Sequence, residues 1–235
     1  MGIYVDAARE GIVLLRSGDL DVWGVVATSL RVSLTAAVLA LALGIPAGYV
    51  LGTRRSFGRR AMLVLANAGM GLPPVVVGLV VAMTLSRRGP LGGLGLLYSR
   101  PAMIIAQTII AFPVVAAVSA AAVAAVPREL RLQARSLGAG PVQEALLALS
   151  EARMGLVAAV AAGFGAIISE VGAVMMVGGN LAGETRVMTT AIVQYSRMGR
   201  YGAALALGAV LLFLVVMVNI ALTGLQTSGE RWERG

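Results

Sequence analysis

Residues 130–146 read LRLQARSLGAGPVQEAL, a polar segment with two arginines inside an otherwise apolar chain. Pro127 suits the first turn of a helix, and residues 128–136 have a helix-compatible composition. The small residues at 138–140 break this helix, and the proline that follows them can start a second helix over 141–149. The sequence therefore predicts two short helices joined by a glycine turn.

The composition of the chain indicates a membrane protein. Of its 235 residues, 58% are hydrophobic and only 13% are charged, and the mean hydropathy is +0.88. A soluble domain carries roughly a quarter charged residues, so this chain is expected to face a bilayer. Small residues let helix backbones approach closely in lipid, and the 30 glycines suit that kind of packing.

The residue types that the sequence lacks exclude several classes of function. It has no cysteine and no histidine, which excludes disulfides, thiol catalysis and metal sites built from these residues. All 19 basic residues are arginines; the lysine of an ATP-binding P-loop is missing, and the chain is not expected to hydrolyse ATP. The net charge of +8 is attributed to arginines in membrane loops rather than to a nucleic-acid partner.

Charged residues divide the chain into apolar windows long enough for the roughly 20 residues that cross a bilayer. One window is interrupted by Ser169 and Glu170. The predicted fold is an all-α membrane protein with an N-terminal amphipathic segment over 1–20, a transmembrane domain over 21–227 and a tail over 228–235. Its five spanning helices are predicted at 22–53, 61–86, 101–126, 153–178 and 201–226.

The predicted spans carry packing and bending signals. A doubled GxxxG pattern over 44–52 places three glycines on one face of the first helix. Pro73 and Pro74 are expected to bend or break the second helix, and Pro113 lies in the third. For the paired prolines, ordinary helix packing and a bend that lines a pathway both remain open.

The loops suggest an orientation in the membrane. Residues 54–60 carry four arginines, against three in 86–100, so 54–60 is placed in the cytoplasm. The N-terminus is then outside, whereas the 127–152 link and the C-terminal tail are cytoplasmic. Because both loops are basic, the charge rule alone is ambiguous. Residues 180–200 are too polar to span and are predicted to form a short amphipathic helix outside the membrane.

Three interpretations of the link over 127–152 compete. It is a solvated connector, a DNA-binding helix-turn-helix, or a docking element for a cytoplasmic partner. The membrane setting disfavours the DNA reader. Small residues at a turn let a partner approach the backbone, and neighbouring arginines can form bidentate contacts with carboxylates.

The segment LQARSLGAG resembles the coupling loop, or EAA loop, of permease subunits of binding-protein-dependent ABC importers. The family pattern is Glu-Ala-Ala, three residues, then Gly. Ala134 and Gly138 match its second alanine and its glycine, whereas Leu132 and Gln133 replace the glutamate and the first alanine.

Three further segments are similar to the tungstate branch of the molybdate, tungstate and sulfate permeases. They are TSLRVSLTAAVLALALGIPAGYVLG, MGLPPVVVGLVV and SEVGAVMMVGGNLAGETRVMTTAI, and the resemblance runs from about residue 20 to 226. It implies the five-helix core of a type I ABC importer permease. It also implies a homodimer that works with two cytoplasmic ATPase subunits and an external binding protein.

The resemblance assigns the ATPase contact to the turn of the 127–152 link. ATP would be used by the partner subunit, and no cofactor or metal is expected on this chain. The coupling residues it implies are Ala134, Arg135, Ser136, Leu137, Gly138, Ala139 and Gly140.

Polar residues near the fourth span are candidates for the translocation pathway or its gate. Glu170 stands out, since an ionisable group in a membrane segment indicates function; it is expected to pair with Arg186 or another arginine. For the neutral residues, local helix capping is an equal alternative. The full candidate set is Ser169, Glu170, Asn180, Thr189 and Thr190.

The predicted function is import of tungstate through an inner-membrane permease. Molybdate or sulfate is the nearest alternative cargo. A membrane-embedded enzyme is disfavoured because catalytic His, Cys or Asp clusters are missing. An ion-coupled secondary transporter is disfavoured because no internal repeat is evident and Glu170 is the only acid candidate in the spans.

Overall fold

The computed structural model of this chain describes residues 2–16, 20–53 and 57–232. Its regular structure within these ranges consists of α-helices and one 3-10 turn, which confirms the all-α prediction. Parts of the predicted N-terminal segment, the 54–60 loop and the tail lie outside the described residues. The helices are α1 (Gly2–Arg16), α2 (Leu20–Thr53), α3 (Phe57–Met70), α4 (Pro74–Leu85), α5 (Arg100–Ala124), α6 (Arg128–Ser136), α7 (Pro141–Glu151), α8 (Arg153–Ile168), α9 (Gly172–Gly178), α10 (Met188–Arg197) and α11 (Tyr201–Trp232).

Parts of α2, α5 and α11 are each long and apolar enough to cross a membrane. Two bent helix pairs, α3 with α4 and α7 with α8, pass the same test only when each pair is taken together. By length and composition, the described residues therefore provide three spans, or five if each bent pair is one span. The last helix also runs past its predicted end at 226, to Trp232.

The span predicted over 61–86 consists of two helices, because the chain breaks between α3 and α4 at 71–73, next to the prolines that were expected to bend or break it. Pro73 has an extended backbone with ψ 119°, and Pro74 occupies the first turn of α4. A proline disfavours the helical conformation in the residue before it, so Pro74 forces Pro73 out of the helix. Of the two effects predicted for the paired prolines, a bend or a break, the structure shows a break. In contrast, α5 continues through Pro113.

The predicted single helix over 153–178 is wrong. It ends at Ile168, and α9 begins only at Gly172. The carboxylate of Glu170 accepts a hydrogen bond from the backbone N–H of Ala173 at 2.8 Å. An acidic side chain at a helix start satisfies N–H groups that otherwise lack a partner, so Glu170 starts a new helix instead of continuing the old one.

The chain forms two compact units, and the first comprises Met1–Ala36, Pro73–Thr108 and Ala166–Met217. Helices α4 and α9 pack closely in this unit: a Cβ on Gly78 would lie 2.5 Å from the Cα of Ala173. The buried core cluster between α2, α10 and α11 consists of Val22, Val25, Val26, Met188, Ala191, Tyr195, Ala203, Ala204 and Leu207.

The second unit comprises Ala37–Leu72, Ile109–Gly165 and Val218–Gly235. Its glycine face on α2 packs directly against α5. A Cβ on Gly48 would lie 2.5 Å from the Cβ of Ser119, and a Cβ on Gly44 would lie 2.7 Å from Val115. The predicted GxxxG contact is therefore confirmed, and its partner is α5.

Candidate functional site

The predicted helix, glycine turn and second helix are present as α6 and α7. Gly138 has φ +87°, a left-handed conformation that favours glycine. Its N–H donates to the carbonyl of Arg135 at 3.0 Å, and the N–H of Ala139 donates to the carbonyl of Ala134 at 2.9 Å. This pair of bonds is a Schellman motif, which ends α6 and satisfies its last carbonyl groups.

The start of α7 is also stabilised locally. The N–H of Gly140 donates to Oε1 of Gln143 at 2.8 Å, and Pro141 stands in the first turn, where its missing N–H does no harm. The helix runs to Glu151, two residues beyond the predicted end. We call α6, α7 and their turn, 128–151, the hairpin.

An ion pair joins the two helices of the hairpin. Nε of Arg135 lies 2.6 Å from Oε2 of Glu144, and the two side chains are 64% and 7% exposed respectively. A buried carboxylate requires a partner, so Glu144 ties α6 to α7 across the turn. Glu144 was not among the predicted site residues. Its signal in the sequence is an acid in the first turn of α7 that follows a basic residue in the last turn of α6.

The hairpin exposes large apolar side chains. Leu137 is 88% exposed, and Val142 and Leu146 are also well exposed. A Cβ added to Gly138 would meet no heavy atom within 4 Å. An exposed apolar surface next to an open backbone turn is suited to a protein partner, which favours the docking interpretation over a solvated connector.

A basic cavity of about 500 Å³ adjoins the hairpin. Its lining includes Arg59 from α3 and three arginines of α6, Arg128, Arg131 and Arg135, together with Glu144. Leu132, where the family pattern has an acid, also lines it. No local sequence pattern predicts this cavity, because Arg59 is far from α6 along the chain.

The first unit brings two of the predicted pathway residues together. The hydroxyl of Thr189 donates to the backbone carbonyl of Glu170 at 2.8 Å. Both residues line a cavity of about 10 Å³ with Gln107 and Ser29, which is on the order of the volume that one water occupies.

Gln107 and Ser29 belong to this polar cluster but were not predicted. The amide of Gln107 donates to the carbonyl of Ile167, and its buried Oε1 has no hydrogen-bond partner among the described residues. The hydroxyl of Ser29 accepts from the N–H of Met188 at 2.7 Å. Both are neutral polar residues inside long apolar helices, and this is the signal that the sequence offers for them.

The other pathway candidates lie elsewhere in the first unit. Thr190 caps α10, since its hydroxyl accepts from the N–H of Val187 at 3.2 Å. Asn180 has φ +53°, and its amide donates to Gln194 at 2.6 Å. Ser169 lies in the break between α8 and α9. The capping alternative therefore applies to Thr190.

The expected ion pair between Glu170 and Arg186 is not formed within the described part of the chain. Glu170 caps α9 through Ala173, and Arg186 lines a different cavity. The backbone break at 169–171 places the Glu170 carboxylate at the start of α9. There the N–H of Ala173, and not the guanidinium of Arg186, is its hydrogen-bond donor.

Comparison with known proteins identifies the family. Residues 44–228 match the family described as binding-protein-dependent transport system inner membrane component. The chain is 45% identical over 210 residues to a probable anion ABC transporter permease protein of Haloferax volcanii, covering 86% of this chain and 90% of that one. It is 40% identical over 226 residues to the tungstate uptake system permease protein TupB of Peptoclostridium acidaminophilum, covering 96% and 99%.

A solved structure shares the fold. A chain of the methionine ABC transporter MetNI, in inward-facing conformations, superposes with a TM-score of 0.69 and 20% identity, covering 92% of this chain and 95% of that chain. These comparisons confirm the resemblance that the coupling segment and the spans indicated. The chain belongs to the family of inner-membrane components of binding-protein-dependent transport systems.

Proposed function

We propose that this chain is the permease subunit of an ATP-driven, binding-protein-dependent importer of a tetrahedral oxyanion, tungstate. Family membership supports the permease role, and relatives named for an anion and for tungstate support the cargo. The observation that carries the mechanism is the hairpin, an exposed element with a left-handed glycine at its turn. The chain is a transport component and not an enzyme.

The hairpin is the proposed docking element for a separate ATPase. The proposed contact covers Ala134 to Gly140 within the 127–152 link. Leu137 provides apolar surface, and the open space around Gly138 admits a partner close to the backbone. ATP is used by that partner, and this chain binds no cofactor.

The ion pair between Arg135 and Glu144 stiffens this element, so a displacement imposed on α6 is carried into α7. Only Ala152 separates α7 from α8, and the two helices are bent by 73°. A push on the hairpin therefore acts on α8 through a very short link. ATP binding then favours one packing of the helices, and hydrolysis releases the other.

The proposed assembly contains two copies of this chain, two cytoplasmic ATPase subunits and an external binding protein. The chain is a multi-pass membrane protein, and we place it in the inner membrane of a prokaryote. The four arginines of 54–60 support a cytoplasmic hairpin and tail, with the N-terminus outside. We propose three segments along the chain: an N-terminal amphipathic segment over 1–20, a transmembrane domain over 21–227 and a cytoplasmic tail over 228–235.

The proposed pathway or gate includes Glu170 and Thr189, because both line the small polar cavity of the first unit. Ser169, Asn180 and Thr190 complete the proposed set, with local structural roles for Asn180 and Thr190. Weak binding by uncharged groups such as the Thr189 hydroxyl suits a pathway, because tight binding slows release.

Uptake of radiolabelled tungstate into vesicles tests the function. The vesicles contain this chain, its ATPase and its binding protein, and molybdate and sulfate serve as competitors. We expect ATP-dependent uptake that excess molybdate or sulfate reduces less than unlabelled tungstate does. Stronger competition by molybdate or sulfate identifies one of these as the cargo. Uptake without ATP, driven by an ion gradient, favours a secondary transporter instead.

A further inference from the structure

A second cavity in the first unit is lined by three arginines. It has a volume of about 310 Å³ and is bounded by Arg31 of α2, Arg100 at the start of α5 and Arg186, just before α10. Among the residues that the structure describes, its other lining residues are Gly24, Val25, Ala27, Thr28 and Gly183, and none of these is acidic. The cavity is therefore a concentrated positive region.

Arg100 fixes one wall of this cavity. Its Nε donates to the carbonyl of Glu184 at 2.7 Å, and its Nη2 donates to the carbonyl of Gly183 at 3.3 Å. A guanidinium group has five N–H donors, so three remain for another acceptor. The side chain thus holds the 183–184 turn and keeps hydrogen-bonding capacity.

Arg186 carries an unsatisfied donor. Its Nε is buried and has no hydrogen-bond partner among the described residues. A buried N–H without a partner is destabilising, and an acceptor in the cavity would remove that penalty. Thr28, a buried residue of α2, adds a hydroxyl to the same lining.

The chemistry of the lining selects the class of ligand. Guanidinium groups bind oxyanions through charge-assisted, often bidentate hydrogen bonds. Three such groups, with no acid among the lining residues that the structure describes, suit a divalent anion with several oxygen acceptors better than a single carboxylate. The volume lies at the low end of ligand pockets, roughly 300–1,000 Å³, and it accommodates a small tetrahedral ion with part of its hydration shell.

We propose that Arg31, Arg100 and Arg186 form a binding site for a tetrahedral oxyanion on the permease itself. The identification of this anion as tungstate rests on the proposed function, in which tungstate is the cargo. The existence of an oxyanion site does not rest on that function. The site holds the ion at the first unit, near the start of α10, apart from the small polar cavity at Glu170 and Thr189.

Equilibrium dialysis of sodium tungstate against the full-length chain in lipid nanodiscs tests the site. Leaving out the ATPase and the binding protein removes their own anion sites. We expect saturable binding that weakens about tenfold or more in Arg31→Gln and in Arg186→Gln, since each variant loses a charge-assisted bond to the anion. Arg197→Gln removes the same charge from an exposed position on α10 and should leave binding within about twofold.

Arg31 is exposed, so we expect Arg31→Gln to fold normally. If Arg186→Gln proves unstable, binding to Arg31→Gln still decides the test. Absence of saturable binding in the wild type, or equal binding in Arg31→Gln, overturns the proposal. Weaker docking of the binding protein to Arg31→Gln, with unchanged tungstate binding, also overturns it and assigns the cavity to a partner carboxylate.

The uptake experiment separates this inference from the proposed function. Arginine-dependent tungstate binding without ATP-driven uptake supports the site and refutes the transport proposal. ATP-driven uptake without arginine-dependent binding refutes the site alone.

Discussion

Arg135 and Glu144 lie nine residues apart and form an ion pair of 2.6 Å that closes the hairpin. The two partners differ sharply in environment, because Arg135 is largely exposed and Glu144 is buried. Because of this difference, the stability of the hairpin should depend on which of the two residues is replaced.

Replacing Arg135 should destabilise the hairpin more than replacing Glu144. Arg135→Gln leaves a buried carboxylate without its partner, at a cost of about 3 kcal/mol. Glu144→Gln leaves a guanidinium that water can solvate, at a cost below about 1 kcal/mol. Hydrogen exchange of the amides in 128–151 measures the difference. Equal exchange in both variants contradicts the structural role of this pair.

Gly138 should tolerate asparagine better than alanine. Its φ of +87° costs a residue with a Cβ about 1–2 kcal/mol, and asparagine adopts this region more readily than alanine does. If the backbone conformation limits coupling, ATP-driven uptake should fall further in Gly138→Ala than in Gly138→Asn. A decline that follows side-chain size instead indicates that bulk blocks the partner.

Gly138→Arg adds both bulk and charge at the turn. We expect it to abolish ATP-driven uptake while the chain still inserts in the membrane, because the space around the glycine is open within this chain. Co-purification of the ATPase with the variant is the measurement. Normal co-purification together with normal uptake refutes docking at the hairpin.

The glycine face of α2 should resist even a methyl group. In Gly48→Ala the new Cβ would lie 2.5 Å from the Cβ of Ser119, and overpacking of this kind costs roughly 1–3 kcal/mol. Gly208→Ala on α11 is the matched control, since its Cβ would meet nothing within 4 Å. Thermal unfolding in nanodiscs should show a lower Tm for Gly48→Ala than for Gly208→Ala.

Replacing Glu170 with glutamine should leave the stability of the fold nearly unchanged. Glu170→Gln keeps an oxygen that can accept from the N–H of Ala173, whereas Glu170→Ala removes the cap at a cost of about 1 kcal/mol. Thermal unfolding compares the two variants, and tungstate uptake compares their transport. A stable Glu170→Gln with strongly reduced uptake indicates a role for the charge in the pathway.

Much of the fold was predictable because its signals are local. Prolines and glycines set the ends of α6 and α7, and the spacing of Gly44 and Gly48 along one helix face required only the helical repeat. The predicted continuous helix over 153–178 failed where a short polar stretch competed with a long apolar window, whereas the break at the paired prolines was one of the two expected effects. At Pro73 the conformational restriction imposed by the following proline outweighed hydrophobic length, and at Glu170 a hydrogen bond from the N–H of Ala173 did so.

The tertiary structure alone decided which distant residues meet. Arg31 and Arg100 are 69 residues apart, Arg100 and Arg186 are 86 residues apart, and no local pattern relates the three. The sequence by itself determined that the chain is a helical membrane protein with a polar hairpin, because hydropathy and helix termination depend on neighbouring residues. The arginine cavity depends on how helices from distant parts of the chain pack, and the cap that Glu170 forms on α9 depends on where the helix breaks; only the folded chain specifies both.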